Sequence, residues 1–473
     1  MALPVLDPSD CPGCVARDQV IAHLRLRIAE LERQQHRQAH PFRRDDVQPL
    51  EPPGADNTAE PPRDNQAPAK RPGRPKGHPA AQRPLPLPTQ VDRVLDVPCR
   101  ECPECRVVLT DPKTIVQYQT DLPPITPIVT QFNIETGWCP CCRQVRQGRH
   151  PEQISDARGI AGNTFGPVVL TMAAELKHRL GVPYRKICDF FATYCDLAIC
   201  PATLVRAEQR LTELARPTYD LLIEALRRAG VVHADETGWR ISRVSAWLWV
   251  FSSKDVTVYT IRTSRGHDVP EDILGPAFDG YLIVDGLQSY DVLDCAKGRC
   301  NAHLLRRCKE LAASVPGHET KQLEALRTLL QEAIDLAQRR PELTVAGYAR
   351  RVQEMENRLD AWLASNLRDR RRSPDLDRLD WHIRKHRGEW LVFLHEAEVP
   401  PTTNHAEQML RPAVITRKVG GCNKTLLGAA VHSVLSSIMV TCKRQGRKFL
   451  DLAKRLWQAG ESQAIPLPQP PGR

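Results

Sequence analysis

The chain has 473 residues, and 66 Lys and Arg against 56 Asp and Glu leave a formal net charge of +10. With 41% hydrophobic residues it can bury the cores of roughly two to four domains, which excludes a mainly disordered protein, while 40 prolines and only 5% aromatics reserve part of it for linker. A charge of this size over so long a chain says little about a polyanionic partner until its placement is known.

Met1 to Asp10 carries neither the basic nor the apolar run of a secretory signal. A reducing, cytoplasmic and nucleoid-associated setting is therefore expected, with the 16 cysteines as thiols or metal ligands and not disulfides. Cys11 and Cys14 form a C-x-x-C knuckle without an evident second pair, a weak metal signal. Ile21, Leu24, Ile28 and Leu31 occupy a and d heptad positions and predict a short coiled-coil helix within residues 15–36. Two heptads are marginal alone, so this helix either packs on its own protein body or pairs with a partner or a second copy.

Residues 37–96 read as a linker, with 13 prolines between 41 and 88 and almost no aliphatic periodicity. Within it, Arg71-Pro-Gly-Arg74-Pro-Lys76-Gly-His78 is either an AT-hook-like strip, placing Arg71, Arg74 and Lys76 in a narrow minor groove, or a plain basic tether. Residues 97–150 form a Cys-rich module. Cys102, Cys105, Cys139 and Cys142 make two C-x-x-C knuckles separated by 33 residues, a pattern that predicts a closed structural Zn2+ site of four thiolates, with Cys99 and Cys141 as spare thiols.

Residues 160–228 read as helical. A break near Cys195-Asp-Leu197 and a helix opening at Pro201 fit either a DNA-binding helix-turn-helix or an ordinary packed hairpin. Val231 to Trp239 reads as a buried strand ending in acids, and Gly280 to Asp285 as an apolar strand closed by one carboxylate. Two strands ending on Asp235 and Asp285 would set two like charges side by side, tolerable with a divalent cation such as Mg2+ or Mn2+ between them. Strand-end aspartates also serve as helix caps. Glu407 lies near the start of a helix, followed by Arg411, Arg417 and Lys418, cations suited to DNA phosphates. The uncharged stretch Thr425 to Cys442 is too polar for a membrane span and is read as a buried helix. Ten Lys and Arg against the single acid Asp451 between Arg411 and Arg455 concentrate the positive charge into one expected basic surface.

Asp235-Glu-Thr-Gly-Trp239, Asp285 with Tyr290, Cys300-Asn-Ala-His303-Leu-Leu-Arg306, and Asn404-His-Ala-Glu407 with Arg411-Pro412 resemble the transposases of the insertion-sequence-66 type. The order of coiled coil, basic linker, cysteine module and helical segment resembles that family too, over nearly the whole chain. The resemblance implies a multidomain α+β protein with an RNase H-like α/β catalytic core in two parts, 229–318 and 399–458. A helical insertion, 319–398, would divide them, and a disordered tail, 459–473, would follow. It implies a DDE mechanism in which Asp235, Asp285 and Glu407 bind two Mg2+ (or Mn2+) ions, cut the element's terminal repeats and join the freed 3′-OH to target DNA. Double-stranded DNA, a synaptic homo-oligomer and accessory proteins of the same element are the implied partners, with no membrane. His303 either neighbours the metals or caps a core turn. Thr403, Gln408 and Leu287 depart from the family pattern, which usually has Asn, Arg and an aromatic residue there. Two other readings stay open: a catalytically inert DNA-binding regulator, and a nuclease without strand joining.

Overall fold

The computed structural model describes residues 84–111, 113–315, 317–366 and 373–467. The heptad helix, Cys11, Cys14 and the strip holding Arg71, Arg74 and Lys76 lie outside the described residues. The chain divides into two units, Met1–Tyr118 and Gln119–Arg473.

In the first unit the described backbone is extended apart from a helical turn at Pro88–Gln90 and a tight knuckle. Arg106 N donates to Cys102 O at 2.8 Å, and Cys102 N donates to Val107 O at 2.9 Å. Arg106, at φ 60°, takes the left-handed conformation that closes this turn.

The second unit opens with a hairpin of β1 (Thr136–Cys139) and β2 (Gln144–Gln147), in which Cys139 opposes Gln144. Three helices follow: α1 (Pro167–His178), α2 (Tyr184–Cys195) and α3 (Pro201–Arg227). Pro167 and Pro201 stand in the first turns of their helices, where a missing N–H costs nothing. Asp196, at φ 51°, caps α2. The turn between α2 and α3 closes over Ile187, Phe191, Ile199 and Leu204. The first two turns of α3 leave Pro201, Ala202 and Arg206 exposed. From Leu211 onward the same helix lies in the main core, so the boundary expected at 228/229 falls inside shared packing.

Strands β3 (Val231–Ile241), β4 (Val244–Ser252) and β5 (Thr257–Arg262) form an antiparallel meander. After α4 (Asp268–Leu274), strands β6 (Tyr281–Val284) and β7 (Lys297–Arg299) add in parallel, giving the mixed order β5-β4-β3-β6-β7. Val232, Ala234, Trp249, Phe251, Leu282 and Val284 pack one face of the sheet into the core shared with α3 and α4.

The remaining helices are α5 (Asn301–Ala312), α6 (Gly317–Gln338), α7 (Val345–Asn366), α8 (Pro374–Lys385), α9 (Val392–His395), α10 (Asn404–Gly420), α11 (Leu426–Arg444) and α12 (Phe449–Ala459). The described chain is thus α+β, with 12 α-helices and one mixed five-stranded sheet. Helices α5 to α9 gather their own core, Leu326, Leu330, Leu359, Trp362 and Trp390 among it, and seat it on Ile283 of β6. Trp239, Leu248 and Val250 on the sheet's other face pack against Ala406, Leu410 and Ala413 of α10.

Helix α11 covers the Thr425 to Cys442 stretch. Among the described residues it is the one helix long and apolar enough to cross a membrane, and most of it is buried inside the protein. Its serines have a structural use. Ile261 N, Tyr259 N and Thr257 N of edge strand β5 donate to Ser433 Oγ, Ser437 Oγ and Thr441 Oγ1 at 3.1, 2.8 and 3.1 Å. A helix advances ~6 Å over four residues and a strand ~6.6 Å over two. Hydroxyls at every fourth position can therefore follow alternate amides and occupy the edge a further strand would take.

The tail differs from expectation. Pro217 inside α3 has no N–H for the carbonyl of Glu213. Ser462 Oγ donates to that carbonyl at 3.2 Å, Ile465 N donates to Thr218 Oγ1 at 3.1 Å, and the Ile465 side chain is buried in the main core. Ser462 and Ile465 thus tie the described part of the tail to α3. The residues beyond 467 lie outside the described ones.

Candidate active site

Asp235 sits within β3, not at its end as the sequence suggests, because the hairpin with β4 carries the strand on to Ile241. The parallel ladder between β3 and β6 stops earlier, at His233 opposite Ile283. Two residues further along each chain are Asp235 and Asp285. Alternation keeps both on the face of His233 and Ile283, on neighbouring strands ~4.8 Å apart. Both are half-buried. Asp235 Oδ1 accepts from Glu236 N at 2.8 Å, and Asp285 Oδ1 from Leu287 N at 2.8 Å. Burial first, then the charges of Asp285 and Glu236, push the Asp235 carboxyl well above the usual carboxylate range.

Two helices supply the rest of the cluster on this face. Asn301 at the start of α5 is wholly buried; its N donates to Pro401 O at 3.0 Å, and its Nδ2 to Trp390 O and Pro401 O at 3.1 Å each. Thr403 N, just before α10, donates to Cys300 Sγ at 3.2 Å. These bonds tie the two helix starts together. His303 Nε2 comes 3.6 Å from Glu407 Oε1, both half-buried. Hydrogen bonding with Cys300 raises the His303 imidazole to about 9 against the opposing effect of burial, with the charges of Cys300, Asp285 and Glu407 adding to the rise. Burial pushes the Cys300 thiol up, but its bonds with His303 and Thr403 outweigh that and lower it. His303 therefore stands beside the acids, where the sequence left its place open. Among the described residues no group of three or more His, Cys, Asp or Glu side chains closes tightly enough to hold a metal ion by itself.

Residues beyond the expected set support this face from behind. Glu236, next to Asp235 but on the opposite side of the strand, accepts from Arg265 Nη2 at 2.7 Å and Tyr290 OH at 3.2 Å. The doublet Asp235-Glu236 inside a strand was the available signal, since consecutive strand residues face opposite ways. The side chains that depart from the family pattern have places too. Leu287 serves Asp285 through its amide, which any residue supplies; Thr403 is buried, and Gln408 is exposed.

Two of the cations of 411–455 serve the fold and do not face solvent freely. Arg411, Lys418, Lys424, Lys443, Arg447, Lys448 and Arg455 are exposed. Arg417 Nη1 instead donates to Gly238 O and, at 3.3 Å, to Thr237 Oγ1, binding α10 to β3. Arg444 turns into the β4–β5 connection, donating to Ser252 Oγ at 2.9 Å, Ser253 O at 2.7 Å and Thr257 Oγ1 at 2.7 Å. With Val256 O and Lys254 O these make five carbonyl and hydroxyl acceptors around one guanidinium, so Arg444 is structural.

The two cysteine knuckles share a local design. In the hairpin turn, Cys142 N donates to Cys139 Sγ at 3.5 Å, and Arg143 at φ 49° matches Arg106 of the other knuckle. The amide of Cys105 lowers Cys102, and that of Cys142 lowers Cys139, both toward thiolate.

Asp235 lies within β3, Asp285 directly after β6, and Glu407 in the first turn of α10 beside His303. Comparison with protein families gives a match to the model "Transposase IS66 family" over residues 162–431, more than half of the chain. The chain belongs to the IS66 family of transposases. A search of curated proteins returned no match.

Proposed function

We propose that this transposase cuts element ends and joins them to target DNA at an RNase H-like centre formed by Asp235, Asp285 and Glu407. The observation that supports the reading is the β3–β6 register, which ends with His233 opposite Ile283 and leaves Asp235 and Asp285 two residues beyond it on each chain, near enough for the charge of Asp285 to raise the Asp235 carboxyl. The donor set fits Mg2+ or Mn2+. It consists of hard carboxylate oxygens, two of them close enough to repel, with one oxygen of each aspartate already fixed by a backbone amide. Bound there, such ions supply Lewis-acid charge to the scissile phosphate and its attacking oxygen.

The protein's own residues do the positioning. Strand β3 holds Asp235, the end of β6 presents Asp285, and α10 carries Glu407 to within 3.6 Å of the His303 imidazole. Arg411, one turn past Glu407, and Lys418 carry exposed positive charge along the same helix for the phosphates on either side. The test is cleavage and joining of duplexes bearing the element's own ends. Release of 3′-OH ends should require Mg2+ and disappear in Asp285→Ala, while binding of those duplexes in EDTA persists. Cleavage that survives loss of any one of the three acids would sink the assignment.

For the knuckles we propose zinc, on the strength of their thiolate-stabilising amides. Metal analysis should find about one zinc per chain, lost in Cys102→Ser and in Cys139→Ser. A wild-type protein purified without chelator and well below that ratio would count against it.

A further inference from the structure

Arg299 ends edge strand β7, and its side chain is withdrawn from solvent, the residue being 2% exposed. A guanidinium so placed needs partners for its donors, and it finds them in two parts of the protein. Its Nη1 donates to the backbone carbonyl of Asp285 at 3.0 Å, and its Nη2 to Asp291 Oδ1 in the loop leaving β6. Its Nε donates to Glu389 Oε2 at 2.6 Å, and His386 Nδ1 lies 3.1 Å from Nη2. Asp291 Oδ2 accepts in turn from Lys385 Nζ at 2.5 Å.

Lys385, His386 and Glu389 belong to the end of α8 and the turn after it, within the helical insertion. From the same segment His382 lies over Gly286, where a Cβ would come 3.5 Å from its Nε2. One stretch of the insertion, 382–389, therefore grips the loop 285–291 from the moment it leaves the sheet. Ile383 within the stretch and Trp390 just after it are both buried in the insertion's core.

We infer that the helical insertion sets the position of Asp285, and through it the affinity of the acidic site for a divalent cation, by way of the Arg299–Glu389–Asp291 network. This rests on the proposed role of Asp285 as a metal ligand. Arg299 and Glu389 are positioning residues in this scheme, touching neither metal nor DNA. Without the Glu389 charge the buried guanidinium is under-compensated, and its relief is to shift, taking the Asp285 carbonyl with it. Groups one step behind metal-binding carboxylates typically change metal affinity by about 10–100-fold.

The full-length protein, titrated with Mn2+ alone and followed by the electron paramagnetic resonance of free Mn2+, tests this. Glu389→Gln keeps the shape of the side chain and is expected to weaken Mn2+ binding by about 10-fold and to lower Tm while the chain stays folded, with DNA binding in EDTA near wild type. Arg358→Ala, which breaks an exposed ion pair with Glu332 inside the insertion, should leave Mn2+ affinity unchanged. Arg299→Met should weaken Mn2+ at least as much as Glu389→Gln, and if it fails to fold, Glu389→Gln decides. Wild-type Mn2+ affinity in Glu389→Gln, with affinity lost in Asp285→Asn, overturns the coupling alone. Wild-type affinity in Asp285→Asn overturns the metal-site reading and the coupling together.

Discussion

Asp235→Asn is expected to reduce strand cleavage by roughly 10⁴-fold and, in metal-free buffer, to raise the Tm of the protein. Both effects come from one arrangement. Asp235 is half-buried near Asp285, with Glu236 beside it, so its charged form is disfavoured in the folded chain. The sign is fixed by that direction. A carboxyl whose folded-state pKa lies above its unfolded value of ~3.9 destabilises the fold at every pH above that value. Asparagine keeps an oxygen to accept from Glu236 N and removes the charge. Mg2+ should raise the Tm of the wild-type protein and leave that of the variant nearly unmoved, closing the gap, because an ion that binds only the folded state stabilises it by mass action. Differential scanning calorimetry in EDTA and in Mg2+, beside the cleavage assay, measures all of this. A variant with a lower Tm in EDTA would mean that hydrogen bonding at Asp235, and not repulsion, dominates; wild-type cleavage would remove Asp235 from the chemistry.

The two aspartates stand out in the sequence because each closes an apolar run. Their separation of 50 residues is also the offset of the β3–β6 ladder, so motif and register carry the same information. The grouping of the helices on either side of the strands was legible for a similar reason, since their apolar periodicity is long. What was not legible depends on partners far along the chain. Arg299 lies in a short strand of ordinary composition, and its meaning comes from Asp291 on one side and Glu389, 90 residues away, on the other. Arg444 counted as one more cation in a basic run, and only the carbonyls of the β4–β5 turn show that it faces inward. The tail after α12 has the composition of a disordered end, yet Pro217 leaves a carbonyl that Ser462 fills. Composition could not reveal that vacancy, which belongs to another helix.

The serines of α11 set the second large expectation, this one on stability. Replacing Ser433 and Ser437 with alanine and Thr441 with valine should lower the unfolding free energy by several kcal/mol, on the scale of about 1–3 kcal/mol for each buried amide left without an acceptor. All three residues are buried, and so is the strand they serve. Ile261 N, Tyr259 N and Thr257 N face away from β4 and have no strand on that side, since β5 is the last in the sheet. Water cannot replace the lost acceptors without entering the core between β5 and α11. The changes make α11 more apolar, so a simple transfer argument gives them the opposite sign, favouring the folded state. Denaturant unfolding decides which effect wins, and the single change Ser437→Ala is the sharpest probe, because Ser437 Oγ accepts from Tyr259 N at 2.8 Å while donating back to Ser433 O at 2.6 Å. The matched change Ser462→Ala, at an exposed contact with Glu213 O, should cost little beside it. Equal costs at the two sites would mean that the hydroxyl ladder does not close the sheet edge.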